Sequence, residues 1–95
     1  MKHCILVKWN SEVKDKHDFT NLVKSVFDKL LKIEGIHGVE YRENCIDREN
    51  RYDLLICIKM EREILPIYDA SEPHSEWKEK YRKFVEKKAI FDFEE

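Results

Sequence analysis

Ninety-five residues, 42% of them hydrophobic and 40% charged, suit one small globular domain over residues 1–95, with a modest core and a heavily solvated surface. Eighteen basic and 20 acidic residues leave a net charge of -2, which offers no global field for nucleic acid or an anionic membrane. Two glycines, two prolines and no long apolar run exclude a linker-like disordered chain and a membrane-spanning helix.

Residues 3–9 (HCILVKW) are rich in β-branched and aromatic side chains and predict a first strand. From residue 15 to 33 the period changes. Phe19, Leu22, Val23, Val26, Phe27, Leu30 and Leu31 recur at three- and four-residue steps, the mark of an amphipathic helix, with Gly35 as its stop. A Gly-Ile-His-Gly turn leads to a second strand at 39–46, a charged turn at 47–51 and a third strand at 52–60 (YDLLICIKM). Residues 61–70 predict a short helix in which Pro66 is tolerable only in the first turn. After Pro73, the residues His74, Trp77, Tyr81, Phe84 and Val85 mark one stripe of a helix ending near Lys87. Residues 89–94 (AIFDFE) supply a fourth strand.

The order β-α-β-β-α-β predicts a ferredoxin-like α+β fold, a four-stranded antiparallel sheet with helices on one face. CILV and LLICI are continuous apolar runs rather than alternating ones. They belong to the two central strands, whose faces both call for burial, while helices cover only one. Cys4 and Leu6 share a face with Leu55 and Cys57, and a second copy of the chain is the simplest cover. A homodimer packed through its sheet faces is therefore expected. Cys4, Cys45 and Cys57 are odd in number and lack CxxC spacing, so they read as reduced structural thiols of a cytoplasmic protein, without a metal.

Local chemistry narrows the choice among ferredoxin-like folds. An RNA-recognition domain stacks bases on aromatic rings of its central strands, where this chain has aliphatics and a cysteine. A copper chaperone carries paired cysteines after the first strand, where this chain reads NSEVK. The start KHCILVKW, the strand RYDLLICIKM, the Tyr-x5-His spacing of YDASEPH and the closing YRKFVEKKAIFDFEE resemble the stress-responsive α/β-barrel (Dabb) family over nearly the whole chain. That resemblance implies a ferredoxin-like protomer paired face to face into a dimeric α+β barrel. It also implies a cofactor-free site, because a plant polyketide cyclase of the family closes a ring by aldol-type condensation with a tyrosine and a histidine at this spacing. Tyr68 and His74 match that acid–base pair, and His3 matches a pocket histidine. The family's His-Pro-x-His turn appears as Ser71-Glu72-Pro73-His74, without its first histidine. A further pocket histidine of the cyclase corresponds to Leu54.

The residues support the pair independently. His3, Ile5, Val7 and Trp9 share the strand face beneath the helices, and His74 begins the helix that carries Trp77. A first-turn imidazole meets the positive end of the helix dipole, and burial adds desolvation. Both favour the neutral form that accepts protons. The sequence predicts a pocket lined by His3, Ile5, Val7, Trp9, Leu54, Tyr68, His74 and Trp77, for a small, partly apolar carbonyl or aromatic ligand. Tyr68 would polarise the oxygen and His74 would move the proton. The alternative is a non-catalytic stress-related or partner-binding dimer with side chains filling that space. Cofactor-independent oxygenation is a third reading that no residue singles out. His17 reads as solvated, His37 as a turn residue, and the run KEKYRKFVEKK as a solvated helix face unsuited to phosphate. Glu72 reads as an aid to the helix start.

Overall fold

A computed structural model describes residues 1–95. Strand alternation decides its layout. Along β1 (Lys2–Trp9), His3, Ile5, Val7 and Trp9 turn to one face, while Lys2, Cys4, Leu6 and Lys8 turn to the other. The remaining elements are α1 (Lys16–Phe27), β2 (Ile36–Glu43), β3 (Leu54–Met60), α2 (Leu65–Asp69), α3 (Glu72–Tyr81) and β4 (Val85–Phe93). The sheet runs β2-β3-β1-β4, antiparallel throughout, which is the expected ferredoxin-like order with β1 and β3 at its centre.

The inward face carries the core. Ile5, Val7 and Trp9 of β1 join Leu54, Ile56, Ile58 and Met60 of β3, and all are buried beneath the helices. Burial of each such aliphatic stabilises the fold by about 1.5–3 kcal/mol relative to exposure. Asp15 caps α1 by accepting a hydrogen bond from the Asp18 amide, and Thr20, Val23, Val26 and Phe27 turn its stripe inward. On the outward face Cys4 lies opposite Cys57 and Leu6 opposite Leu55, with Phe91 of β4 beside Cys4. No helix covers that side; Phe91 is 66% and Phe93 40% exposed.

Four expectations change at their edges. The first helix is α-helical only to Phe27 and tightens into a 3-10 turn over Asp28–Lys32. That change of period keeps Leu30 buried and rotates Leu31 out, while Leu22 sits off the stripe, and both are about half exposed. β2 begins at Ile36, because Ile36 pairs with Met60 and a bulge at His37 absorbs one residue. His37 is thus a strand residue facing Glu61. Asn44 closes β2 early by hydrogen bonding the Ile46 backbone, so Cys45 lies in an exposed loop rather than a strand. β3 starts at Leu54 instead of Tyr52.

The last helix also ends early. After a 3-10 turn at Arg82–Phe84 the chain becomes strand at Val85, four residues before the expected start at Ala89. Val85 pairs with Trp9, Lys87 with Lys8 and Lys88 with Val7, so pairing with β1 overrides the helical look of KFVEKK. Lysines on an edge strand also oppose pairing with foreign strands.

Candidate functional site

The hinge between α2 and α3 sets the geometry of the site. Pro66 occupies the first turn of α2, as its missing N–H allows. Ser71 then caps α3: its hydroxyl donates to the Tyr68 carbonyl at 2.7 Å and accepts from the His74 amide at 3.3 Å. One small side chain therefore ties the backbone of Tyr68 to that of His74. Glu72 lies in the first turn of α3, where a carboxylate favours the dipole.

His74 Nδ1 lies 2.9 Å from the Asp69 carbonyl oxygen. A carbonyl only accepts, so Nδ1 carries the proton and Nε2 of the neutral ring keeps its lone pair. Burial lowers the His74 pKa from its ordinary value. The Asp69 hydrogen bond opposes that shift, and Lys78 and Lys88 reinforce it. The Tyr68 ring lies 4.7 Å from the His74 ring and is almost wholly buried. Burial, helped by Asp69 and Asp92, raises the Tyr68 pKa and keeps the hydroxyl protonated as a donor.

His3 completes a row of three rings, with its centroid 5.2 Å from that of Tyr68. Its Nδ1 donates to the carboxylate of Asp92, the residue opposite His3 in the β1–β4 register. Asp92 was not among the expected site residues. The alternation of AIFDFE places Ile90 and Asp92 on one face, but pairing that strand with β1 in this register was needed to set Asp92 against His3.

The expected lining divides in two. Trp9 lies at the far end of β1, six residues and about 20 Å from His3, and Trp77 of α3 packs against it. There they form an aromatic core: Trp9 packs on Phe19 at 4.8 Å and Trp77 at 6.1 Å, and Trp77 stacks on Tyr81 at 5.7 Å. The Trp9 indole N–H is buried there without a hydrogen-bond partner. Ile5, Val7 and Leu54 are core residues between the two ends. An enclosed pocket lined by all eight is therefore replaced by a packed interior, because helix side chains fill the sheet face.

Open space lies beside that interior instead. The helices stop short of edge strand β4, whose inward residues Lys88, Ile90 and Asp92 remain exposed. Between α3 and the start of β4 is a hollow of about 300 Å³, with Trp77 and Val85 as its apolar part and Lys78, Arg82, Glu86, Lys87 and Lys88 around them. No group of three or more His, Cys, Asp or Glu residues is arranged to hold a metal ion.

No protein-family model and no curated protein matches the sequence. Solved structures do match. A dimeric ferredoxin-like protein of unknown function from Bacteroides fragilis superposes with a TM-score of 0.81 at 20% identity, over 99% of this chain and 94% of that one. A Dabb family protein with a ferredoxin-like fold from Mesorhizobium loti gives 0.73 at 15% identity, over 99% and 94%. A hydroxynitrile lyase from Passiflora edulis gives 0.76 at 11% identity, over 97% and 89%. At these identities the likeness is one of fold, and that fold is the ferredoxin-like one.

Proposed function

We propose that this chain is a single-domain, cytoplasmic Dabb-type protein that pairs through the open face of its sheet. Each protomer would perform cofactor-free acid–base chemistry on a small, partly apolar carbonyl compound. The observation that carries the chemistry is the hydrogen bond from His74 Nδ1 to the Asp69 carbonyl, which leaves Nε2 free on a ring 4.7 Å from that of Tyr68. The carbonyl oxygen accepts from Tyr68, and His74 Nε2 takes the proton from the adjacent carbon. The electron pair of that C–H bond moves through the new C=C bond onto the oxygen, where the Tyr68 hydroxyl holds the charge. His74 then returns the proton to carbon or oxygen. His3, anchored by Asp92, positions the Tyr68 ring. The exposed inward edge of β4 is the approach.

Pairing is supported by the anatomy of the open face. Leu6, Leu55, Cys57 and Phe91 form an apolar centre, and the ion pairs Lys2–Glu40, Lys8–Glu86 and Lys59–Glu95 surround it. The likeness to ferredoxin-like proteins described as dimeric agrees with it.

The burial of Tyr68, 1% exposed, favours the second reading, a non-catalytic dimer with a packed interior. Deuterium exchange at the central carbon of a 1,3-diketone, followed by NMR, separates the two. Acid–base chemistry predicts exchange above the buffer rate that falls by about 10²–10⁴-fold in His74→Gln and clearly in Tyr68→Phe. Exchange no faster than in buffer, or unchanged in both folded variants, favours the packed dimer.

A further inference from the structure

The run KEKYRKFVEKK reads in sequence as a solvated face, yet the fold gathers its cations from two elements around one hollow. Lys78 lies one helical turn after His74, Arg82 follows the end of α3, and Lys88 stands on the inward face of β4 opposite Val7. All three border the hollow of about 300 Å³ whose apolar part is Trp77 and Val85. The four cations on its rim, Lys78, Arg82, Lys87 and Lys88, take part in no ion pair, as is also true of Lys14, Lys24, Lys32, Lys83, Arg48 and Arg51. Glu86, the acidic group on the rim, is engaged by Lys8. The helix dipole accounts for cations at the end of α3 and edge protection for a lysine on β4, but neither requires both sets to border one hollow. Of the four cations that border this apolar floor, Lys87 lies opposite the outward-facing Lys8 in the strand register. In a chain of net negative charge the other three suit a ligand with one anionic end and one apolar body.

We propose that Lys78, Arg82 and Lys88 anchor the carboxylate of the ligand, so that the compound presented to His74 is a keto acid rather than a neutral ketone. The inference rests on the reading of His74 and Tyr68 as the acid–base pair. The guanidinium of Arg82 offers a carboxylate two parallel N–H donors, and the lysines add charge without fixing geometry. The apolar body then lies over Trp77 and Val85, and the carbonyl reaches back toward His74 along the inward edge of β4.

The test uses 3-oxo-3-phenylpropanoate, its methyl ester and inorganic phosphate, titrated into the intact protein while the Trp77 indole and His74 ring resonances are followed by NMR. The acid is expected to bind about tenfold more tightly than the ester at low salt and to lose that preference as ionic strength rises. In K78Q/R82Q/K88Q the acid is expected to fall to the affinity of the ester, while ester binding and the circular dichroism spectrum stay unchanged. The single variant K88Q serves if the triple variant unfolds, and the preference is then expected to shrink. An ester that binds as tightly as the acid, or a preference that survives the substitutions, overturns the anchor while leaving the acid–base pair standing. Phosphate that displaces the acid at equal concentration overturns the carboxylate assignment. Neither compound moving His74 overturns the reading of the site itself.

Discussion

His74 owes its character to its neighbours. The Asp69 carbonyl selects the tautomer, and burial favours the neutral ring. Because its folded pKa is lowered, the unfolded chain takes up this proton first as pH falls. The contribution of His74 to stability is therefore complete above the ordinary histidine value of 6.5 and declines as pH drops through it. His17 has the opposite sign, because Glu43 raises its pKa: its contribution is complete below 6.5 and is lost as pH rises. Solvent screens that exposed pair, so its effect is small. Ser71 is where the chain departs from the His-Pro-x-His turn of the family it resembles, and it joins Tyr68 to His74. Ser71→Ala is expected to cost about 1 kcal/mol in denaturant unfolding. It is also expected to slow diketone exchange more than that loss of stability would, because both reacting side chains lose their tie. The Tyr68–His74 spacing was legible in the sequence, and so was the inward turn of His3. Asp92 was not, since its partner lies 89 residues away and is set by strand register.

At the scale of elements, what escaped the sequence is where one period hands over to another. A seven-residue apolar list in the first helix treats Leu30 and Leu31 alike, but the 3-10 turn separates them by a wider rotation than an α-helix does. Leu30→Ala is expected to destabilise by about 2–5 kcal/mol, as a buried leucine does. Leu31→Ala, at an exposed position, is expected to stay within about 0.5 kcal/mol, and urea titrations of the two variants check the difference. The handover from α3 to β4 was equally hidden. KFVEKK carries no signal against helix, and only pairing with Trp9, Lys8 and Val7 makes it strand. That handover matters for the proposed anchor, because it sets Lys88 in β4, opposite Val7 and on the far wall of the hollow. Gly35 was legible as a stop for a physical reason. Its φ of +96° and the Ile64 side chain packed against it both exclude a Cβ.

The whole molecule is a half-covered sheet. Continuous apolar runs in β1 and β3 call for cover on both faces, and the order β2-β3-β1-β4 sets those two strands at the centre of the sheet. The face left open ends in Phe91 and Phe93, 6.1 Å apart and both exposed. Pairing through this face predicts a mass of twice 11.6 kDa by light scattering at micromolar concentration. Phe91→Asp is expected to return a folded monomer, because a carboxylate brought into an apolar contact is desolvated without a partner. A wild-type monomer, or a variant that still pairs, would require a different cover.

The central claim is that His74 presents a neutral imidazole with a free Nε2 to whatever lies beside Tyr68. Long-range ¹H–¹⁵N correlation spectra recorded across pH 4 to 9 test it directly, since ring nitrogen shifts report both tautomer and protonation. The Nδ1–H tautomer is expected at neutral pH, with a midpoint below 6.5. An Nε2–H tautomer, or a midpoint at or above 6.5, would contradict it.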